Sequence, residues 1–82
     1  MQKPIKIRWR RLIKNRGIAD YDKWEITLDP RLSDERLLGT AIHETLHLEQ
    51  WDLCEEAILR MEASLTDVLL RLGFRRTEKD GE

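Results

Sequence analysis

Leu38-Gly39-Thr40-Ala41-Ile42-His43-Glu44-Thr45-Leu46-His47-Leu48 decides how this 82-residue chain is read. Leu38, Ala41, Ile42, Thr45 and Leu46 recur at three- and four-residue intervals, the spacing of one apolar helix face. The predicted helix begins at Ser33 or Asp34, either of which can cap it, and runs to about residue 50. Asp34 and Glu35 put acid in its first turn, where the helix dipole favours negative charge. His43 and His47 are four residues apart, hence separated by about 40° around the axis, and both imidazoles leave one side. Their ring nitrogens can reach a single ion at about 2.0–2.1 Å. Glu44 is rotated by about 100° from His43, placed to meet a water on that ion without becoming a ligand. This is the logic of H-E-x-x-H: two ligands, and a carboxylate that takes a proton from water. The chain has two histidines and both lie in the motif.

A catalytic zinc takes three protein ligands and keeps one position open. With no third histidine, the third ligand must be an acid or Cys54. Glu49 is two residues past His47 and faces elsewhere on the same helix. The acids beyond the helix end are better placed, and helix phase favours Glu55, which borders the buried stripe of the next helix, over Glu56, which points to solvent. Glu56, Glu62 and Cys54 stay open as alternatives, with Cys54 expected to face the core. Gly39 lies four residues before His43, and a helix-interior glycine costs about 1 kcal/mol against alanine. It is either tolerated or needed for a close approach. Trp51 is a candidate wall of the site. Tyr21 is a candidate hydrogen-bond donor to a developing oxyanion, set against the commoner role of a loop tyrosine as a surface residue.

The remainder reads as two strands and a second helix. Ile5, Ile7 and Trp9 alternate with Lys6, Arg8 and Arg10, the period of a half-buried strand. Asn15-Arg16-Gly17 gives a turn signal, and residues 20–23 read as a loop or short edge segment. Trp24, Ile26 and Leu28 alternate with Glu25, Thr27 and Asp29 until Pro30 stops the strand. Trp9 and Trp24 are expected in the core. Asp52 to Glu55 matches a capping box for a second helix, whose buried stripe is predicted as Ile58, Met61, Leu65, Val68, Leu69 and Leu72. Gly73 suits the position past its end. The expected fold is α+β, a small antiparallel sheet of two or three strands on two helices. One domain over 1–76 is expected, with 77–82 a disordered tail.

Hydrophobic residues make up 40% and charged residues 38% of the chain, with a net charge of -1. That balance gives no global field for nucleic acid or an anionic membrane. The basic residues are nevertheless concentrated at one end: Lys3, Lys6, Arg8, Arg10, Arg11, Lys14 and Arg16 precede the first acid, Asp20. They form either a solvated strand face or a docking surface for an acidic partner. Cys54 is the only cysteine, so no internal disulfide forms, and with no targeting or membrane-spanning run a reducing, cytoplasmic setting is expected.

The chain resembles the zincin metallopeptidases, and among them the minimal one-domain, SprT-like proteins of phages and bacteria. The resemblance rests on His43-Glu44-Thr45-Leu46-His47, with softer support from residues 24–29, Leu53-Cys54-Glu55-Glu56-Ala57-Ile58 and Leu72-Gly73-Phe74-Arg75. It implies a zinc-dependent peptidase with His43 and His47 as ligands and Glu44 as general base. It also implies an edge strand, at residues 24–28, holding an extended peptide substrate. Larger families often carry an acid or amide four positions after the ligand glutamate, where this chain has Leu59 and Arg60. The competing readings are a zinc-stabilised binding module without activity, and a metal-free domain that binds a partner through its basic strand.

Overall fold

Asp20-Tyr21-Asp22-Lys23-Trp24-Glu25 makes the tight turn from which the sheet is built. A computed structural model describes residues 3–77; most of the expected disordered tail lies outside them. The Asp20 carboxylate accepts from the Lys23 amide at 3.1 Å, and Trp24 takes a left-handed conformation (φ 54°) that closes the turn. The Trp24 indole is tied to the Lys3 carbonyl at 2.9 Å. On either side lie β2 (Gly17–Asp20) and β3 (Glu25–Leu28), paired antiparallel with Gly17 opposite Leu28. β1 (Lys6–Trp9) joins the other side of β3 in parallel register, Lys6 beside Glu25 and Trp9 beside Leu28. The strand order is therefore β1-β3-β2.

The α+β class matches expectation, but the sheet is mixed. Gly17, read as part of a turn, opens a strand. The reason is the connector 10–16, which crosses the end of β3 and puts β2 on the far edge. β3 then fills the space between, running with β1. Residues 24–28 consequently form the central strand, bonded on both sides, and offer no edge to a peptide. The edges belong to β1 and β2.

α1 (Asp34–Glu49) starts at Ser33, whose hydroxyl accepts from the Arg36 amide. Leu37 and Leu48 bury against Ile26 and Leu28 of β3, with Ala41, Ala19, Trp24 and Ile5 packed around them. α2 (Glu55–Arg71) starts after Cys54, which makes no side-chain cap, so the expected box with Asp52 does not form. Gly73 (φ 96°) ends α2 as expected. Its amide bonds the Leu70 carbonyl and that of Phe74 bonds Leu69, both at 3.0 Å, which completes a Schellman cap.

Among the elements, α2 packs only on α1. Its buried residues are Ile58 and Thr66. Leu65, Val68 and Leu72, expected in the core, are exposed, because the flank meeting α1 is set by close approach rather than by maximal hydrophobicity. Trp9 is likewise half exposed rather than buried, since α1 covers β2 and β3 but not β1. No helix among the described residues is long and apolar enough to cross a membrane.

A buried carboxylate holds the connector to the sheet. Asp29 accepts from the Leu12 amide (2.9 Å), the Arg31 amide (2.9 Å) and the Arg31 guanidinium (2.7 and 3.0 Å). Arg31 also donates to the Leu12 carbonyl. The guanidinium first, then the two amides, holds the Asp29 carboxyl well below the usual carboxylate range. The folded value lies below the unfolded value of about 3.9, so this contribution is complete above about pH 4 and is lost as pH falls toward the folded value. Asp29→Asn should lower the melting temperature at pH 7, and the gap from wild type should narrow below about pH 4. Thermal unfolding followed by circular dichroism at both pH values measures it; a gap independent of pH would remove Asp29 from this role.

Candidate metal centre

α1 brings His43 and His47 to the side of the helix that faces α2. Their Nε2 atoms are 3.2 Å apart. Glu55, in the first turn of α2, reaches both: Oε2 is 3.4 Å from His43 Nε2 and Oε1 is 3.5 Å from His47 Nε2. Bonds of about 2.0–2.1 Å in a tetrahedral shell place ligand atoms about 3.3–3.4 Å from one another. The three side chains are therefore spaced to hold one metal ion, and they form such a group among the described residues. Two imidazoles and a carboxylate are a donor set that zinc accepts, as do nickel and cobalt.

Glu62 lies two turns beyond Glu55 on the same flank of α2. Its Oε1 is 2.9 Å from His43 Nδ1. An ionised carboxylate only accepts, so Nδ1 carries the hydrogen and Nε2 presents its lone pair toward His47 and Glu55. Glu62 is not one of the group; it bonds the far nitrogen of His43, the place a carboxylate takes behind a metal-binding histidine. Gly39 makes the arrangement possible. A Cβ there would come 2.9 Å from Glu62 Oε2 and 3.4 Å from Thr66 Oγ1. The glycine serves the close approach of α2, not of a strand or substrate.

Glu44 occupies a different face of α1, toward β2. A Cβ on Gly17 would meet Thr40 Cγ2 at 2.6 Å and Glu44 Cγ at 3.0 Å. β2 therefore lies against the Glu44 stem only because residue 17 has no side chain. Burial lifts the Glu44 carboxyl above its ordinary value; the imidazoles of His43 and His47 oppose the shift, and Glu55 and Glu62 add to it. His43, Glu44, Glu55 and Thr40 share an open cleft of about 300 Å³, rimmed by Lys14, Asn15, Arg16, Gly17 and Leu59.

The structure thus brings together His43, His47 and Glu55, with Glu44 beside them. Glu55 and Glu56 are both exposed, so Glu55 does not border a buried stripe as expected; it differs from Glu56 in reaching the two imidazoles. Cys54 is exposed rather than facing the core. Tyr21 lines a separate depression with Lys3, Asp22 and Trp24, so nothing supports an oxyanion role for it. Trp51 is exposed and does not line the cleft. The roles of Gly17 and Glu62 were not read from the sequence. The seven-residue interval from Glu55 to Glu62, two helical turns, is the signal that places both acids on one flank. Compared with protein-family models, with curated proteins and with solved structures, the chain matches none.

Two substitutions test this geometry. Glu55→Ala should weaken zinc binding by more than about 100-fold, beyond the loss usual for an outer partner, while Glu56→Ala leaves it near wild type. Equal small effects would move the third ligand elsewhere. In Gly39→Ala the tight contact is with the end of a flexible side chain, and Thr66 Oγ1 at 3.4 Å is near ordinary contact distance, so the protein should fold, with a helix-propensity gain of up to about 1 kcal/mol. Its methyl displaces the Glu62 carboxylate from His43, and zinc affinity should fall by about 10-fold or more. Isothermal titration with zinc, alongside thermal unfolding, reads both effects; unchanged affinity in Gly39→Ala would show that Glu62 is not needed to hold the ring.

Proposed function

We propose that this chain is a zinc-dependent metallopeptidase, with His43, His47 and Glu55 as ligands and Glu44 as general base. The observation that carries the reading is the convergence of two imidazole nitrogens and a carboxylate at metal-ligand spacing, with His43 and Glu55 of that group lining the same cleft as Glu44. A zinc-stabilised module has no use for a further, partly buried acid in that position. The resemblance drawn from H-E-x-x-H points the same way.

Zinc held there supplies a polarised water that ionises near neutral pH and a Lewis acid for the scissile carbonyl. The protein's own groups do the rest. Glu44 takes a proton from the attacking water and delivers it to the leaving amine as the carbon–nitrogen bond breaks. Glu62 keeps His43 in the ligand tautomer. The substrate is an extended peptide lying along the outer edge of β2, the edge beside Glu44, in place of the 24–28 segment expected from sequence. A reducing, cytoplasmic setting fits the single cysteine.

The second reading, a zinc staple without activity, draws on α2, which packs on α1 alone. Glu44→Gln separates the two. The change keeps size and helix propensity and removes basicity. Zinc content and melting temperature should stay near wild type, while cleavage of unfolded proteins, measured with chelator controls, should fall about 100-fold or more. Undiminished cleavage by zinc-loaded Glu44→Gln would rule out this mechanism.

A further inference from the structure

β1 is the edge strand away from the metal centre, and its two faces differ sharply. Lys6 and Arg10 donate their amides to the Trp24 and Leu28 carbonyls, both at 3.0 Å. Alternation along the strand therefore turns the amides and carbonyls of Ile7 and Trp9 to the open edge. The side chains of Ile7 and Trp9 are 59% and 50% exposed. They line an apolar groove of about 320 Å³ whose other walls include Leu38, Ala41 and Phe74. On the opposite face Lys6, Arg8 and Arg10 form an exposed row. Among the described residues no carboxylate forms an ion pair with any of the three.

We propose that the free edge of β1 is a docking site for an extended acidic segment of a partner protein, in which apolar and acidic residues alternate. A strand added to β1 would place residues opposite Ile7 and Trp9 over the groove, and residues opposite Lys6, Arg8 and Arg10 on the basic face. Apolar side chains fit the first set and carboxylates the second. The unpaired amides and carbonyls of Ile7 and Trp9 supply the main-chain bonds of strand addition. The charge row argues against a second copy of this chain, because β1 against β1 sets arginine beside arginine on one face. The carbonyls argue against nucleic acid, whose phosphates accept hydrogen bonds and give none. The site shares no residue with the metal cleft, so it stands whatever that cleft does.

The test titrates the full chain with end-blocked fluorescent peptides of about ten residues, enough to cover an edge strand. One alternates Val and Glu; a second has the same composition with the order scrambled; a third alternates Val and Lys. The alternating Val/Glu peptide should bind about tenfold or more tighter than either control. Arg8 projects from the exposed face, so Arg8→Glu should leave folding and zinc uptake intact, weaken the Val/Glu peptide about tenfold and strengthen the Val/Lys peptide. Trp9→Ala should weaken the Val/Glu peptide without improving the Val/Lys peptide. No binding, equal binding of alternating and scrambled peptides, or absence of the charge-swap rescue would overturn the proposal. So would displacement of the peptide by single-stranded DNA of matching charge, or a dimer in sedimentation that excess peptide does not dissociate.

Discussion

The distance between α1 and α2 at Gly39 governs the rest of the centre. A methyl group at that point would press on the Glu62 carboxylate, 2.9 Å from Oε2. The Glu62 carboxylate accepts from His43 Nδ1, which keeps the ring hydrogen there and leaves Nε2 bare. Two imidazole nitrogens 3.2 Å apart are stable neighbours only with a proton or a cation between them, since two lone pairs repel. The fold holds them there with buried packing: Ile58, fully buried at the foot of α2, fixes the helix that carries both acids. The four-residue spacing on α1 brings the two imidazoles together, and one glycine and one buried isoleucine hold α2 where its carboxylates reach them.

A second constraint shapes the sheet. β3 must be central because the connector 10–16 carries the chain across its end, and Asp29 ties that connector down at Leu12. The result is a sheet with two unlike edges. β2 lies under α1 and next to Glu44. β1 overhangs, with its apolar face left half open and its other face basic. The same three short strands therefore present one edge to the cleft and another to a different kind of surface.

What was legible in the sequence was what local geometry encodes. Ser33, Gly73 and the histidine pair depend on residues within one or two helical turns, and all three sit as expected. Glu55 does converge with the two histidines, but the predicted buried stripe that favours it over Glu56 is not the flank that docks, and Glu55 is itself exposed. The parallel pairing of β1 was not legible, since strand order is decided by how far a connector reaches and no residue records it. The buried side of α2 was misread for a related reason. Ranking by hydrophobicity favours Leu65, Val68 and Leu72, yet the flank that docks carries Glu55, Glu62 and Thr66, selected by what α1 offers across from it. The cost of Gly39 is visible in the sequence, but the neighbour that requires it belongs to another helix.

The single attachment of α2 has a consequence for how the molecule opens. An element that touches one neighbour, with two buried positions, can swing away without disturbing the β3–α1 core, and its amides should exchange with solvent before those of the sheet. An ion joining imidazoles on α1 to a carboxylate on α2 would change that order of events. α2 could then leave only when a coordination bond broke, so the residence time of the ion would set the lifetime of the closed helical pair. In that state the protein would behave as a hinge with a chemical latch, whose opening rate is decided by ligand exchange and not by packing.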